Sequence, residues 1–346
     1  MSSPDNDLNN VSAVLKEANR RGIILFLEKA KLKYKTSNKD HLDDHFIGQL
    51  KKFKNELEIL LSDHSNDNEA GYSSIRPLNN CYNKPAIFIL PGTPGFCEAY
   101  KDLANAFEDT YAVYGVQMIG LQEGEEPLYS LTDTARLTKK WIRQVQPAGP
   151  YRFIGHSLGA YIAFEMSREL EQNGEAVEFI SILDASVHLT SSLRSKTGKT
   201  IDDGIVGTTR FFLTRYNLVT SPYPDWIDNL RSEMALLPTD QKISFVLNCV
   251  RDKIDAKENA AFMLRTLYVM LIHSLMVYSP AGRIQSKLLI VKAGEENWSG
   301  YDEYLGWKDH ADEIEAIVVP GDHLTIVNSA NAFSLMEKIK AHLQSN

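Results

Sequence analysis

Beyond residue 85 the chain alternates short, unbroken apolar runs with stretches of helical periodicity. Ala86–Leu90 (AIFIL), Tyr111–Met118, Tyr151–Ile154, Val177–Leu183 (VEFISIL), Lys287–Ala293 and Ile314–Val319 predict strands. Helical patterns fall between them over Glu98–Phe107, from Ser130 to Val145, over Ala160–Leu170, and after Gly321-Asp322-His323. Ser130-x-x-Asp133 resembles a capping box at the start of the second helix, and Gly174 stops the third. Strands that are apolar throughout are buried on both faces, so the pattern predicts an α/β fold whose mostly parallel sheet is flanked by helices.

The first 62 residues follow another rhythm. Leu8, Val11, Leu15 and Ala18 share one helix face that ends at Gly22. Ile23–Glu28 reads as a strand, Lys29-Ala30 as a turn, and Lys31–Lys35 alternates with period two. Phe46, Leu50, Phe53, Leu57, Leu60 and Leu61 then draw a stripe along a second helix, giving a small α+β unit of helix, hairpin and helix over residues 1–62. The alternation puts Lys31, Lys33 and Lys35 on one face, with Leu32 and Tyr34 opposite. Such lysines either keep a sheet edge from pairing wrongly or select an acidic peptide that adds as a further strand. Residues 63–84 are rich in Ser, Asn, Asp and Gly and read as a tether, with one early strand at Ser74–Leu78.

The remaining domain, 85–346, carries an insertion over 186–282. Its opening, Ser186–Gly207, is rich in Gly, Ser and Thr and reads as mobile. Trp226–Leu237, Ile243–Ile254 and Asn259–Tyr278 read as helices of a lid. Met263, Leu267, Met270, Leu271 and Met276 are either lid core or the lining of an acyl channel.

Charge sharpens this division. The 346 residues carry a net charge of −8, which discourages a nucleic-acid partner. Residues 1–62 hold 11 Lys+Arg against 9 Asp+Glu, whereas the rest hold 26 against 36. Three cysteines (Cys81, Cys97, Cys249) without C-x-x-C spacing suggest a reducing compartment and neither a disulfide framework nor a metal site. The N-terminus has no basic and apolar leader pattern, and the longest apolar run, Phe262–Tyr278, is broken by Arg265 and His273. A cytoplasmic protein without a membrane span is expected.

The chemistry concentrates at Gly155-His156-Ser157-Leu158-Gly159, a G-x-S-x-G match. A strand runs into it and a helix runs out, the setting in which a nucleophilic serine stands on a tight bend. A serine that accepts phosphopantetheine in a carrier protein can also follow Gly-His, but the apolar strand directly upstream argues against it. Ser157 is the expected nucleophile. Pro91-Gly92-Thr93-Pro94-Gly95 leaves the strand expected beside it, where α/β-hydrolases place a second oxyanion donor. The backbone N–H groups of Leu158 and Thr93 are the expected donors, since Pro94 has none. His323, after a late strand, is the expected base. For the acid, Asp184 at the end of Val177–Leu183 competes with Glu295, Glu296 and Asp302 after the next strand. Position in the chain leaves that choice open.

Residues 84–346 resemble the type I thioesterases that end nonribosomal peptide and polyketide synthetases. The likeness rests on QPAGPYRFIGHSLGAYIAFEMSRELEQNGE, then ILDAS, then GDHLTI, although Leu-Pro-Gly-Thr-Pro-Gly stands where that family more often has His-Pro-Gly-Gly. The resemblance implies an α/β-hydrolase fold with a helical lid, a triad of Ser157, Asp184 and His323, and no bound cofactor. It also implies a substrate held on the phosphopantetheine arm of a carrier protein. Residues 8–62 resemble the N-terminal docking domains of the tubulysin-synthetase type, with Lys29-Ala30 in place of the usual Gly-Asp turn. That likeness implies capture of the C-terminal tail of an upstream synthetase subunit. The expected activity is release of a carrier-bound acyl or peptidyl thioester by hydrolysis or macrocyclisation. The competing expectations are a generic esterase or lipase-like hydrolase and a non-catalytic scaffold.

Overall fold

The computed structural model describes residues 23–28, 31–36, 42–55, 74–121, 127–187, 201–215, 225–253, 260–269 and 278–344, with residues 14, 17, 18, 21, 57, 58 and 125. In chain order the strands are β1 (Ile23–Glu28), β2 (Lys31–Thr36), β3 (Ile75–Pro77), β4 (Ala86–Leu90), β5 (Ala112–Val116), β6 (Tyr151–His156), β7 (Val177–Leu183), β8 (Lys287–Ala293) and β9 (Ile314–Val319). The helices are α1 (Asp44–Lys52), α2 (Lys101–Ala106), α3 (Leu131–Val145), α4 (Leu158–Gln172), α5 (Ile201–Arg215), α6 (Asp225–Met234), α7 (Thr239–Lys253), α8 (Ala260–Tyr268) and α9 (Ser329–Gln344).

Seven strands form one sheet in the order β3-β5-β4-β6-β7-β8-β9, parallel except for β3. The unbroken apolar strands explain why both faces are covered. Trp141 of α3 and Phe164 of α4 pack with Phe88, Phe153 and Trp307 on one side. Leu103 of α2 and Leu335 and Ile339 of α9 pack with Ile87, Ile89 and Phe179 on the other. Ser130 caps α3 by accepting the Asp133 N–H at 3.2 Å, as the capping pattern predicts.

Residues 74–84 belong to this sheet domain rather than to a tether. β3 pairs antiparallel with β5, and the buried Asn79 amide ties the segment to the main chain of Ala104, Tyr111 and Val113. In the insertion, α6 and α7 fall on the first two expected helices, and α8 covers the first half of the third, whose residues 270–277 lie outside the described residues. Helix α5 begins inside the stretch read as mobile. Gly204 and Gly207 weaken its intrinsic helical preference, but Ile205, Val206, Phe212 and Leu213 bury against Ile227, Leu230, Val246, Leu264 and Leu267. Tertiary packing decides that helix. Leu267 therefore serves the lid core; the side chains of Met263, Met270, Leu271 and Met276 lie outside the described residues.

In the N-terminal unit β1 and β2 pair antiparallel through a two-residue connection, with Glu28 facing Lys31. Val14, Ala18, Ile23, Leu25, Phe46, Leu50 and Leu57 form its small core, with Leu32 packed against it. Lys31 and Lys33 are exposed; the Lys35 side chain and most of the first expected helix lie outside the described residues. Tyr34, expected on the Leu32 side, is 53 % exposed, although its cross-strand partner Leu25 is buried.

Candidate active site

Strand order reverses at β4 and β6, which lie side by side while their following segments depart to opposite flanks. Such a switch point opens a crevice beyond the carboxyl ends of the strands. Pro91–Gly95 leaves β4 there, and Ser157 leaves β6. The bend at Ser157 is held in the left-handed half of backbone space, with φ 52° and ψ −117°, and its N–H donates to the Leu183 carbonyl at 3.0 Å. A non-glycine residue in so sparse a region costs roughly 1–3 kcal/mol and persists only under surrounding constraint. The constraint is visible at the two motif glycines. A Cβ on Gly155 would lie 2.5 Å from the Gly159 carbonyl oxygen, and one on Gly159 would lie 2.1 Å from that of Leu90. Only glycine lets α4 start this close to β4.

β7 is followed directly by Asp184, whose own φ is 55° and whose N–H donates to the Val291 carbonyl at 2.8 Å. Its carboxylate is buried and doubly occupied. Oδ1 accepts the Ala293 N–H at 2.7 Å, and Oδ2 accepts His323 Nδ1–H at 2.6 Å. With Nδ1 carrying the hydrogen, the lone pair of a neutral imidazole is at Nε2. The His323 main chain is also gripped on both sides: its N–H donates to Glu296 Oε1 at 3.0 Å, and its carbonyl accepts from His156 Nε2 at 2.9 Å. The following turn is locked by Asp322 Oδ1, which accepts from the Thr325 hydroxyl and from the N–H groups of Leu324 and Thr325. The Thr325 hydroxyl, followed by those N–H groups, holds the Asp322 carboxyl below the usual carboxylate range.

Ser157 and His323 share a cavity of about 350 Å³ with Gly92, Thr93, Pro94, Phe96, Tyr100, Leu324 and Val327 among its walls. No hydrogen bond joins the Ser157 hydroxyl to the His323 ring among the described residues; serine hydrolases commonly tighten this contact only in the loaded site. Thr93 faces the cavity. Leu158 is the first residue of α4, so its N–H lacks an intrahelical partner and points out of the helix start beside Ser157. Of the acids that chain position left open, Asp184 meets the imidazole, while Glu296 holds only the His323 backbone. Neither Glu295 nor Asp302 hydrogen-bonds His323; Asp302 instead accepts the Tyr304 and Gly306 N–H groups.

Reading by motif gave Tyr100 and His156 no role, and it raised Glu296 only as a candidate acid. His156 lies inside the motif and borders the Ser157 cavity but is buried, and Tyr100 carries no spacing signal at all. No His/Cys/Asp/Glu cluster able to hold a metal occurs among the described residues, and no described helix is long and apolar enough to cross a membrane.

The model of the thioesterase domain family matches residues 85–343. This chain belongs to that family. Among curated relatives, the thioesterase is 26% identical to microperfuranone synthase of Emericella nidulans over 299 residues, 82% of this chain and 30% of that one. It is 35% identical to indigoidine synthase of Streptomyces lavendulae over 113 residues, 33% of this chain and 9% of that one. The thioesterase thus spans less than a third of the length of these relatives. Among solved structures, the Vlm2 thioesterase domain shares 20% identity at a TM-score of 0.53, covering 78% of this chain and 97% of its own. The four-domain nonribosomal peptide synthetase AB3403 shares 22% at a TM-score of 0.63, covering 83% of this chain and 21% of its own. At these identities the structural neighbours establish the fold, an α/β-hydrolase.

Proposed function

We propose that this thioesterase discharges an acyl or peptidyl chain from the phosphopantetheine arm of a carrier protein on an upstream nonribosomal peptide or polyketide synthetase subunit. The observation that carries the reading is the His323 ring, clamped by buried Asp184 and opening onto the cavity that Ser157 shares. Ser157 Oγ attacks the thioester carbonyl as His323 Nε2 takes its proton. The carbonyl oxygen becomes an oxyanion, met by the N–H groups of Thr93 and Leu158. Collapse expels the pantetheine thiolate, which recovers the proton from His323, and leaves the acyl group on Ser157. Asp184 keeps the imidazolium stable and correctly turned throughout. Water activated by His323 then yields a linear acid; an amine or hydroxyl within the acyl chain yields a ring. No cofactor is needed for either route.

Residues 1–62 supply the docking unit in this reading. Lys31 and Lys33 face solvent on a two-stranded sheet and suit an acidic tail that adds alongside β2. The register turns the Leu32 N–H away from β1, where it donates to Glu58 Oε1 at 2.9 Å. An incoming strand on that edge takes the place of Glu58.

The test compares discharge of an acyl-carrier protein with hydrolysis of the matching p-nitrophenyl ester. The reading expects the carrier-bound thioester to have the higher kcat/KM. Preference for the small ester, with the carrier thioester untouched, would identify a general esterase instead.

A further inference from the structure

Between the loop after β4 and the loop carrying His323 runs a continuous buried chain of hydrogen bonds. The Gly92 N–H donates to Tyr100 Oη at 2.7 Å. Tyr100 Oη lies 2.7 Å from His156 Nδ1, and His156 Nε2 lies 2.9 Å from the His323 carbonyl oxygen. Tyr100 is 3% and His156 4% exposed, so water does not compete for these groups. His156 directly precedes Ser157, and its ring centroid is 4.9 Å from that of His323.

Both ends of the chain are main-chain groups with a fixed sense. A peptide N–H can only donate, and a peptide carbonyl can only accept. Tyr100 Oη therefore accepts from Gly92 and directs its own hydrogen to His156 Nδ1. That leaves the His156 hydrogen on Nε2, where it donates to the His323 carbonyl. One arrangement of hydrogens satisfies every group, and it requires a neutral imidazole. A second proton on His156 would set an N–H against a phenol oxygen whose own hydrogen then has nowhere to go.

We infer that Tyr100 and His156 are positioning residues that hold the oxyanion loop and the catalytic base in register across the nucleophile bend. Both border the cavity, but neither is assigned a role on the reacting atoms. Tyr100 fixes Gly92, the neighbour of the proposed donor Thr93, and His156 fixes the carbonyl of the residue whose imidazole does the proton transfer. Burial, reinforced by His323 close by, pushes His156 down to about 3 and keeps the relay neutral through the working pH range. A histidine here, rather than any apolar residue of its size, is what a two-ended connector requires: one nitrogen accepts and the other donates.

The inference rests on the proposed roles of Ser157 and His323, and its test separates the two. The full-length chain is assayed with octanoyl-pantetheine as Tyr100→Phe, His156→Leu, His156→Gln, the pair Tyr100→Phe with His156→Leu, and Ser157→Ala. Tyr100→Phe deletes one oxygen, and is expected to lower kcat about 10- to 100-fold with KM within about twofold, the signature of misplaced catalytic groups. His156→Gln, whose amide N–H reaches toward the His323 carbonyl, is expected to recover most of the rate lost in His156→Leu. The paired variant is expected to be no slower than the worse single one, because either change cuts the same chain. A Tyr100→Phe kcat within about twofold of wild type, or losses that multiply in the pair, overturns the inference. Should Tyr100→Phe not fold, His156→Gln against His156→Leu decides, with equal rates counting against it. Turnover surviving in Ser157→Ala would overturn the proposed function itself, whatever the other variants do.

Discussion

His156 shows how one side chain can make acid stability and catalysis share a cause. In the folded protein it is protonated only near pH 3, because burial, and then the neighbouring His323, oppose its charge; its ordinary value is 6.5. Between these values the unfolded chain binds a proton that the native chain does not. Stability therefore rises with pH across that window and is lost on acidification below about pH 6.5, by up to about 1.4 kcal/mol per pH unit from this group. His156→Gln removes the titration. Urea unfolding from about pH 6.5 down to about 4.5 is expected to show a shallower loss for the variant, and equal slopes would contradict the buried neutral state. Asp184 makes a different demand on the site. Asp184→Asn keeps the shape but loses the charge that faces Nδ1, and is expected to cost roughly 10³–10⁴ in kcat. Glu296→Gln retains an oxygen for the His323 N–H and is expected to cost less than about tenfold. The reverse ranking would assign the acid to the later strand. Chain position could not separate these carboxylates, because the choice depends on which strand end lies under the imidazole, and that is set by sheet order. Ser157, Thr93 and His323 were legible because each sits at a break between apolar strand and helix. Tyr100 was not, since a tyrosine among core residues looks the same whether or not its hydroxyl has work.

The elements tell a similar story about what local pattern can and cannot carry. Ala86–Leu90, Val177–Leu183 and Lys287–Ala293 match their predicted bounds because strands largely buried on both faces need apolar residues at most positions. Ile314–Val319 matches as well, although it lies at the sheet edge with Glu315 and Val318 exposed. β3 is different. It has three residues, lies at the sheet edge, and sits in a polar stretch, so its membership is decided by β5 and by the Asn79 amide. Helix α5 was obscured in the same way, its glycines outweighing an apolar face that has meaning only against α6 and α8. The Ser157 bend is the element most tightly determined from within. Gly155 and Gly159 are there because backbone meets backbone, which a motif can encode, whereas the lid's apolar residues serve packing and leave no comparable trace.

At the scale of the whole molecule, the proposed division of labour gives the sheet domain the chemistry and residues 1–62 the choice of partner. Removing residues 1–62 is expected to leave hydrolysis of octanoyl-pantetheine within about twofold, while discharge of a carrier protein borne by the upstream subunit slows about tenfold or more, as lost effective concentration demands. Charge reversal at Lys31 and Lys33 should reproduce the second effect without shortening the chain. Unchanged discharge from the intact partner in both cases would leave the unit without a docking role. The central claim is simpler and concerns a single bond. Incubating the full chain with an acyl-pantetheine thioester, quenching in acid, and mapping the added mass by peptide fragmentation is expected to place the acyl group on Ser157, with none in Ser157→Ala. Product formed by the wild-type protein while Ser157 never carries the acyl group, or an acyl group found on another residue that turns over, would contradict the account.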